Sequence, residues 1–143
     1  MRVERVTEPD DDLARAVARL VPQLSPHRPA PGLVELAEIA AAPGTAFLVA
    51  RDEDGSVVGM LTLITYRVPT GLRGWIHDVV VDEGARGRGA GEALTREALE
   101  LARSTGVATV HLTSRVQREA ANRLYARLGF ERYETNVYVW RPQ

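Results

Sequence analysis

Apolar residues at Leu13, Val17, Leu20, Val21 and Leu24 recur at helical spacing, so they predict one amphipathic helix after Asp10 to Asp12. Those aspartates offer a cap and favourable charge at its start. "SPHRPAPG" ends it, because its prolines cannot continue a helix. Leu33, Leu36, Ala37 and Ala40 predict a second short helix, stopped at Pro43-Gly44. The pattern then changes period. "TAFLVA" and "VVGMLTLITY" read as strands around "RDEDGS", where Asp54-Gly55 supplies a turn. "VPTGLRG" reads as a second turn and "WIHDVVV" as a largely buried strand.

A glycine-rich stretch separates that strand from a long helix with Ala90, Ala93, Leu94, Ala98 and Leu101 on one face, closed at Gly106. "VATVHLTS" follows as a strand, and Ala121, Leu124, Tyr125 and Leu128 predict a fourth helix, ended by Gly129. "YETNVYVW" alternates like a final strand, and "VERVTE" begins the chain as the first. The predicted order is β-α-α-β-β-β-α-β-α-β, an α/β domain with a mixed central sheet. Residues 75 to 112 should form one right-handed strand-helix-strand crossover. No internal repeat or linker divides the chain, so residues 1–143 are expected to form a single domain.

Composition narrows the function without naming it. The formal net charge is −1, so no global basic field draws nucleic acid or anionic lipid. The chain has no cysteine, which excludes disulfides, thiolate metal sites and a cysteine nucleophile. "MRVERVTEPDDD" lacks the apolar run of a signal peptide, and no stretch approaches the ~20 apolar residues of a membrane span. A cytoplasmic protein is expected, with no membrane partner and no metal.

The candidate chemistry lies in "DVVVDEGARGRGAG", residues 78 to 91. A helix N-terminus carries unpaired N–H groups and partial positive charge. Glycines let the backbone approach an anion, so strand, glycine turn and helix together make a phosphate cradle. Spacing alone leaves a tight surface turn as an equal reading. A Walker loop is excluded, because no Gly-Lys precedes Ser or Thr. A G-x-G-x-x-G pattern from Gly87 fails at Glu92.

"RGRGAG", Arg86 to Gly91, does match the R/Q-x-x-G-x-G/A signature of the GNAT superfamily of N-acetyltransferases, between a strand and a long helix as in that family. "ANRLYARLGF", residues 121 to 130, resembles its N-x-x-L-Y-x-x-x-G-F element. Element order resembles the family along nearly the whole chain; before residue 70 it is the only match. The resemblance implies a mostly antiparallel mixed sheet with a V-shaped splay, helices on both faces, and a bulge in the "WIHDVVV" strand.

It further implies acetyl-CoA as acyl donor. The pyrophosphate would lie on Arg86, Gly87, Arg88, Gly89, Ala90 and Gly91, and the pantetheine along Val79, Val80 and Val81. Tyr125 matches the family tyrosine that protonates the departing thiolate, a task suited to a phenol of pKa near 10. Asn122 matches an asparagine that contacts the pantetheine region. His77 resembles a histidine base of some relatives, with Asp78 as a second candidate. Each has a plainer reading: Tyr125 a core aromatic, Asn122 a solvated helix residue, His77 a satisfied histidine. His27 lies in the helix-helix loop, and His111 is expected to pack within its strand.

Three functions remain in competition: direct N-acetyl transfer to a primary amine, a silent acyl-CoA sensor, and a plain nucleotide-binding module. The missing motif residues argue against the last. No acidic cluster or peptide signature marks a protein substrate, so a small-molecule amine is preferred to a protein or peptide amine. The aromatic C-terminal stretch is compatible with a homodimer.

Overall fold

The computed structural model describes all of residues 1–143. It comprises two compact units, 1–113 and 114–143, each described by itself.

The first unit is a five-stranded sheet in the order β1 (Arg2–Arg5), β2 (Thr45–Arg51), β3 (Val57–Val68), β4 (Gly71–Val81) and β5 (Thr109–His111). The first four strands pair antiparallel, and β4 pairs parallel with β5. Three helices join them: α1 (Asp11–Leu24), α2 (Leu33–Ala41) and α3 (Ala90–Thr105). The mixed sheet agrees with the expected fold class.

Register shows how the layers divide. Residues opposite one another on paired strands share a face. Val49, Met60 and Val80 make one such row, and they pack with Leu13, Val17 and Leu20 of α1 and Leu36 of α2. Ala50, Gly59 and Val81 make a row on the other face. There a Cβ on Gly59 would lie 3.1 Å from Leu94 Cδ1 of α3, so the glycine admits the helix at close range. Helices therefore cover both faces of the sheet.

Local chemistry explains the element ends. Asp10 accepts from the Leu13 N–H at 2.8 Å and starts α1. Pro22 lies inside α1 without ending it. It sits in the last turn, and the Ser25 N–H still reaches the Val21 carbonyl at 2.8 Å. The α3 stripe is rotated from the expected one. Thr95 and Ala102 are buried beside Ala90, Leu94 and Ala98, while Ala93 and Leu101 are half-buried. Thr95 is accommodated because its hydroxyl donates to the Gly91 carbonyl at 2.7 Å.

The second unit holds α4 (Glu119–Arg127), whose exit turns at Gly129 with φ +97°. Phe130 follows, its ring edge-on to Tyr125 at 5.7 Å. The expected strand "YETNVYVW" is a correction. Residues 130–143 are irregular and pair with no strand, leaving Tyr133, Val137, Tyr138, Val139 and Trp140 exposed. Alternation gives a segment a strand's faces but not a partner, and ladder bonds need both. The strand expected over "VATVHLTS" is likewise shorter, at Thr109–His111.

Candidate donor-binding edge and acceptor face

Strand β4 is interrupted at one point. Met60 pairs with Val80, yet Thr62 pairs with His77, so the single Leu61 stands opposite both Asp78 and Val79. This is a β-bulge. Asp78 takes up the extra residue at φ +52°, a conformation Asp tolerates better than most side chains. The bulge inferred from resemblance is thus present, at a residue whose type alone did not mark it.

Pairing between β4 and β5 is confined to Arg73–Trp75 opposite Thr109–His111. From Ile76 to Val81, the β4 edge toward β5 has no strand partner. Backbone groups on an unpaired edge require hydrogen bonds. This open edge contains Val79, Val80 and Val81, and it leads directly into the glycine-rich loop.

After Val81 the chain makes a 3-10 turn, Glu83–Ala85, passes through Arg86, and enters α3 through Gly87 and Gly89 at φ +81° and +86°. Gly89 is the helix N-cap and has no side chain to satisfy the first turn's N–H groups. The helix thus begins with donors free of a side-chain cap, an arrangement that suits an anion. Arg86 lies against the loop, its Nε donating to the Val81 carbonyl at 3.2 Å. Arg88 turns instead to Asp52, at 2.9 Å. An open cleft of about 430 Å³ beside it is lined by Met1, Asp52, Glu53, Asp54 and Arg88. Its acidic lining disfavours an anion.

Arg19 and Gln23 of α1 reach the start of this loop. Arg19 Nε donates to Asp82 Oδ2 at 2.8 Å, and Gln23 Nε2 donates to Asp82 Oδ1 at 3.2 Å. Gln23 Oε1 accepts from the Glu83 N–H at 2.9 Å. The Arg19 hydrogen bond is the main reason the Asp82 pKa lies below the usual aspartate value. Sequence reasoning missed this cluster. Its members lie about sixty residues apart, and no local pattern joins them.

His77 is exposed on the α1–α2 face, since Phe47, Thr62 and His77 form a cross-strand row. Its ring stacks on Trp75 at 6.1 Å, and Trp75 stacks on His111 at 5.3 Å. Three rings therefore stand at the last rung before β4 and β5 part. His111 packs, as expected, though at the end of its strand. Asp78 is exposed at the bulge, and His27 is exposed in the α1–α2 connection.

In the second unit, Tyr125 is buried to 9% exposure. Burial raises its pKa, against a smaller opposing effect of Arg118. The phenol therefore stays protonated beyond the ordinary tyrosine range. Asn122 Nδ2 donates to the Arg115 carbonyl at 2.9 Å, which ties α4 to the segment before it.

Residues 13–130 match the model of the acetyltransferase (GNAT) family. The chain belongs to that family. Acetyltransferases of this family take their acetyl group from acetyl-CoA. Among relatives, the chain is 39% identical over 88 residues to a mycothiol acetyltransferase of Beutenbergia cavernae, covering 62% of this chain and 29% of that protein. It is 33% identical over 86 residues to N-alpha-acetyltransferase 30 of Schizosaccharomyces pombe, covering 60% of this chain and 57% of the relative. The chain thus spans well under two thirds of either relative's length. An acetyltransferase structure from Trypanosoma brucei superposes with a TM-score of 0.80 at 27% identity, over 98% of this chain and 99% of that one.

Proposed function

We propose that residues 1–143 act as one N-acetyltransferase domain that moves the acetyl group of acetyl-CoA directly onto a primary amine. The observation that carries this reading is the bulged, open edge of β4 running into a loop with two left-handed glycines at the uncapped start of α3. In this reading Val79, Val80 and Val81 offer backbone groups to pantetheine. The segment Arg86, Gly87, Arg88, Gly89, Ala90 and Gly91 receives the pyrophosphate, with Asn122 contributing to pantetheine binding.

The amine nitrogen attacks the thioester carbonyl carbon while the Val79 amide stabilises the developing oxyanion. The tetrahedral intermediate collapses as the C–S bond breaks, and Tyr125 gives its proton to the departing thiolate. The amine's proton passes to His77 or, through water, to Asp78. Raised by burial, the Tyr125 pKa keeps the acid charged with its proton at neutral pH. No metal is required by any step.

A small-molecule amine is the proposed acceptor; the names of the two relatives give no common one. The reading also makes the enzyme cytoplasmic and homodimeric. Exposed apolar side chains at 133–140 support self-association.

The test is a thiol-release assay with acetyl-CoA against amines, amino acids, aminoglycosides and peptides. Because the chain has no cysteine, a thiol reagent reads liberated CoA alone. Turnover with a small amine, together with the acetylated product by mass spectrometry, is the expected result. Tight acetyl-CoA binding without release across all classes would instead make the chain an acyl-CoA sensor. Turnover confined to peptides would reassign the acceptor.

A further inference from the structure

We infer that Asp82, gripped by Arg19 and Gln23 of α1, is a positioning residue for the donor's pyrophosphate. This rests on the acetyl-CoA reading above and extends it to residues outside the loop motif. The loop can hold an anion only if its N–H groups point at one place before the anion arrives. Glycines free the backbone to do so but do not hold it there. Something must fix where β4 ends and the loop begins, and Asp82 is that residue.

Asp82 is fixed from several sides at once. Its N–H donates to the Val58 carbonyl of β3 at 2.8 Å, which registers it against the sheet. Its carbonyl accepts from the Ala85 N–H at 2.8 Å and closes the 3-10 turn. Both carboxylate oxygens are engaged by α1, one by Arg19 and one by Gln23. Gln23 then takes hold of the next residue through the Glu83 N–H. Arg19 is itself anchored, its Nη2 donating to the Val57 carbonyl at 2.8 Å. Helix α1, the end of β4 and the first turn of the loop are thereby joined by side chains.

The pair is a poor candidate for a purely stabilising role. The Arg19 and Asp82 side chains are 48% and 21% exposed, and ion pairs that reach the surface contribute little to global stability. The pair's geometric consequence is local and falls on the loop. Helix α1 also packs on the sheet face that carries His77, so the same residues couple that helix to the donor loop.

The experiment compares two donors in titration calorimetry: acetyl-CoA, and S-acetylpantetheine, which lacks the pyrophosphate. Asp82→Ala and Gln23→Ala should raise the Kd for acetyl-CoA about tenfold, the scale of loss when pre-set donors are misplaced. Their Kd for S-acetylpantetheine should stay within about twofold of the parent value. Asp82→Asn, which keeps the size and an acceptor for Arg19, should recover part of the loss. Arg19→Met, a surface substitution that keeps an apolar stem, repeats the measurement should the alanine variants melt early. Equal losses with both donors, or none with either, would overturn the positioning role. Failure of the parent protein to bind acetyl-CoA at all would instead remove the reading on which it rests.

Discussion

Tyr125 and His77 present opposite environments for the two proposed proton transfers. Tyr125 is buried and its phenol pKa is raised, whereas His77 is exposed and held by ring contacts. Tyr125→Phe keeps the ring packed on Phe130 and removes only the hydroxyl, so kcat should fall about a hundredfold with little change in melting temperature. In the parent enzyme, the midpoint of any alkaline loss due to Tyr125 should lie above that of a free phenol, since burial raises the folded pKa. That limb should vanish from the pH profile of the phenylalanine variant. An unchanged kcat would reduce Tyr125 to a core aromatic. Trp75 is a positioning candidate beside His77, because its indole stands between His77 and His111. Trp75→Leu should lower kcat/KM for the amine about tenfold by freeing the imidazole, with KM for acetyl-CoA unchanged. A rise in the donor KM alone would place Trp75 on the donor side. These residues were visible as types in the sequence, and the ring stack was not, because it depends on His111 falling opposite Trp75 in the parallel register.

Among the elements, two turns with left-handed glycines separate folding from binding. Gly44 has φ +78°, and a Cβ there would lie 2.4 Å from the Thr65 carbonyl oxygen. Gly89 has φ +86° but open space around it. Gly44→Ala therefore meets both strain and overlap and should cost about 3 kcal/mol or more. Gly89→Ala meets strain alone and should cost about 1–2 kcal/mol. Chemical denaturation should rank them so, while only Gly89→Ala weakens acetyl-CoA. The reverse pattern in binding would move the anion site away from the loop. Helix positions, both turns and the glycine loop could be read from periodicity and residue type, because those rules are local. The bulge could not be read from residue types, since it follows from Leu61 facing two residues of β4, and Asp78 carries no special signal. The Asp82 cluster was equally hidden, as its partners meet only once α1 is laid on the sheet.

Over the whole chain, the C-terminal stretch is where the sequence pattern and the fold disagree, and the disagreement has a physical consequence. "YETNVYVW" has the alternation and β-prone residues of a strand, but in the single chain it is irregular and pairs with no strand. Trp140 is 84% exposed and Tyr138 88% exposed, and Val137 and Val139 are about two-thirds exposed. Apolar side chains concentrated in one short stretch favour association, and a strand-like segment outside any sheet is a template for pairing with another chain. A second copy of this chain is the proposed partner. The two tryptophans allow a direct reading, because Trp75→Phe leaves Trp140 as the sole indole. In dilute solution its emission should be that of a hydrated indole. As concentration rises, the emission should shift to shorter wavelength in step with a doubling of mass in light scattering. Deleting residues 133–143 should abolish the doubling of mass. A dimer that forms with Trp140 still hydrated would place the interface elsewhere. A monomer at every concentration would leave these side chains in water and remove the homodimer from the proposed function.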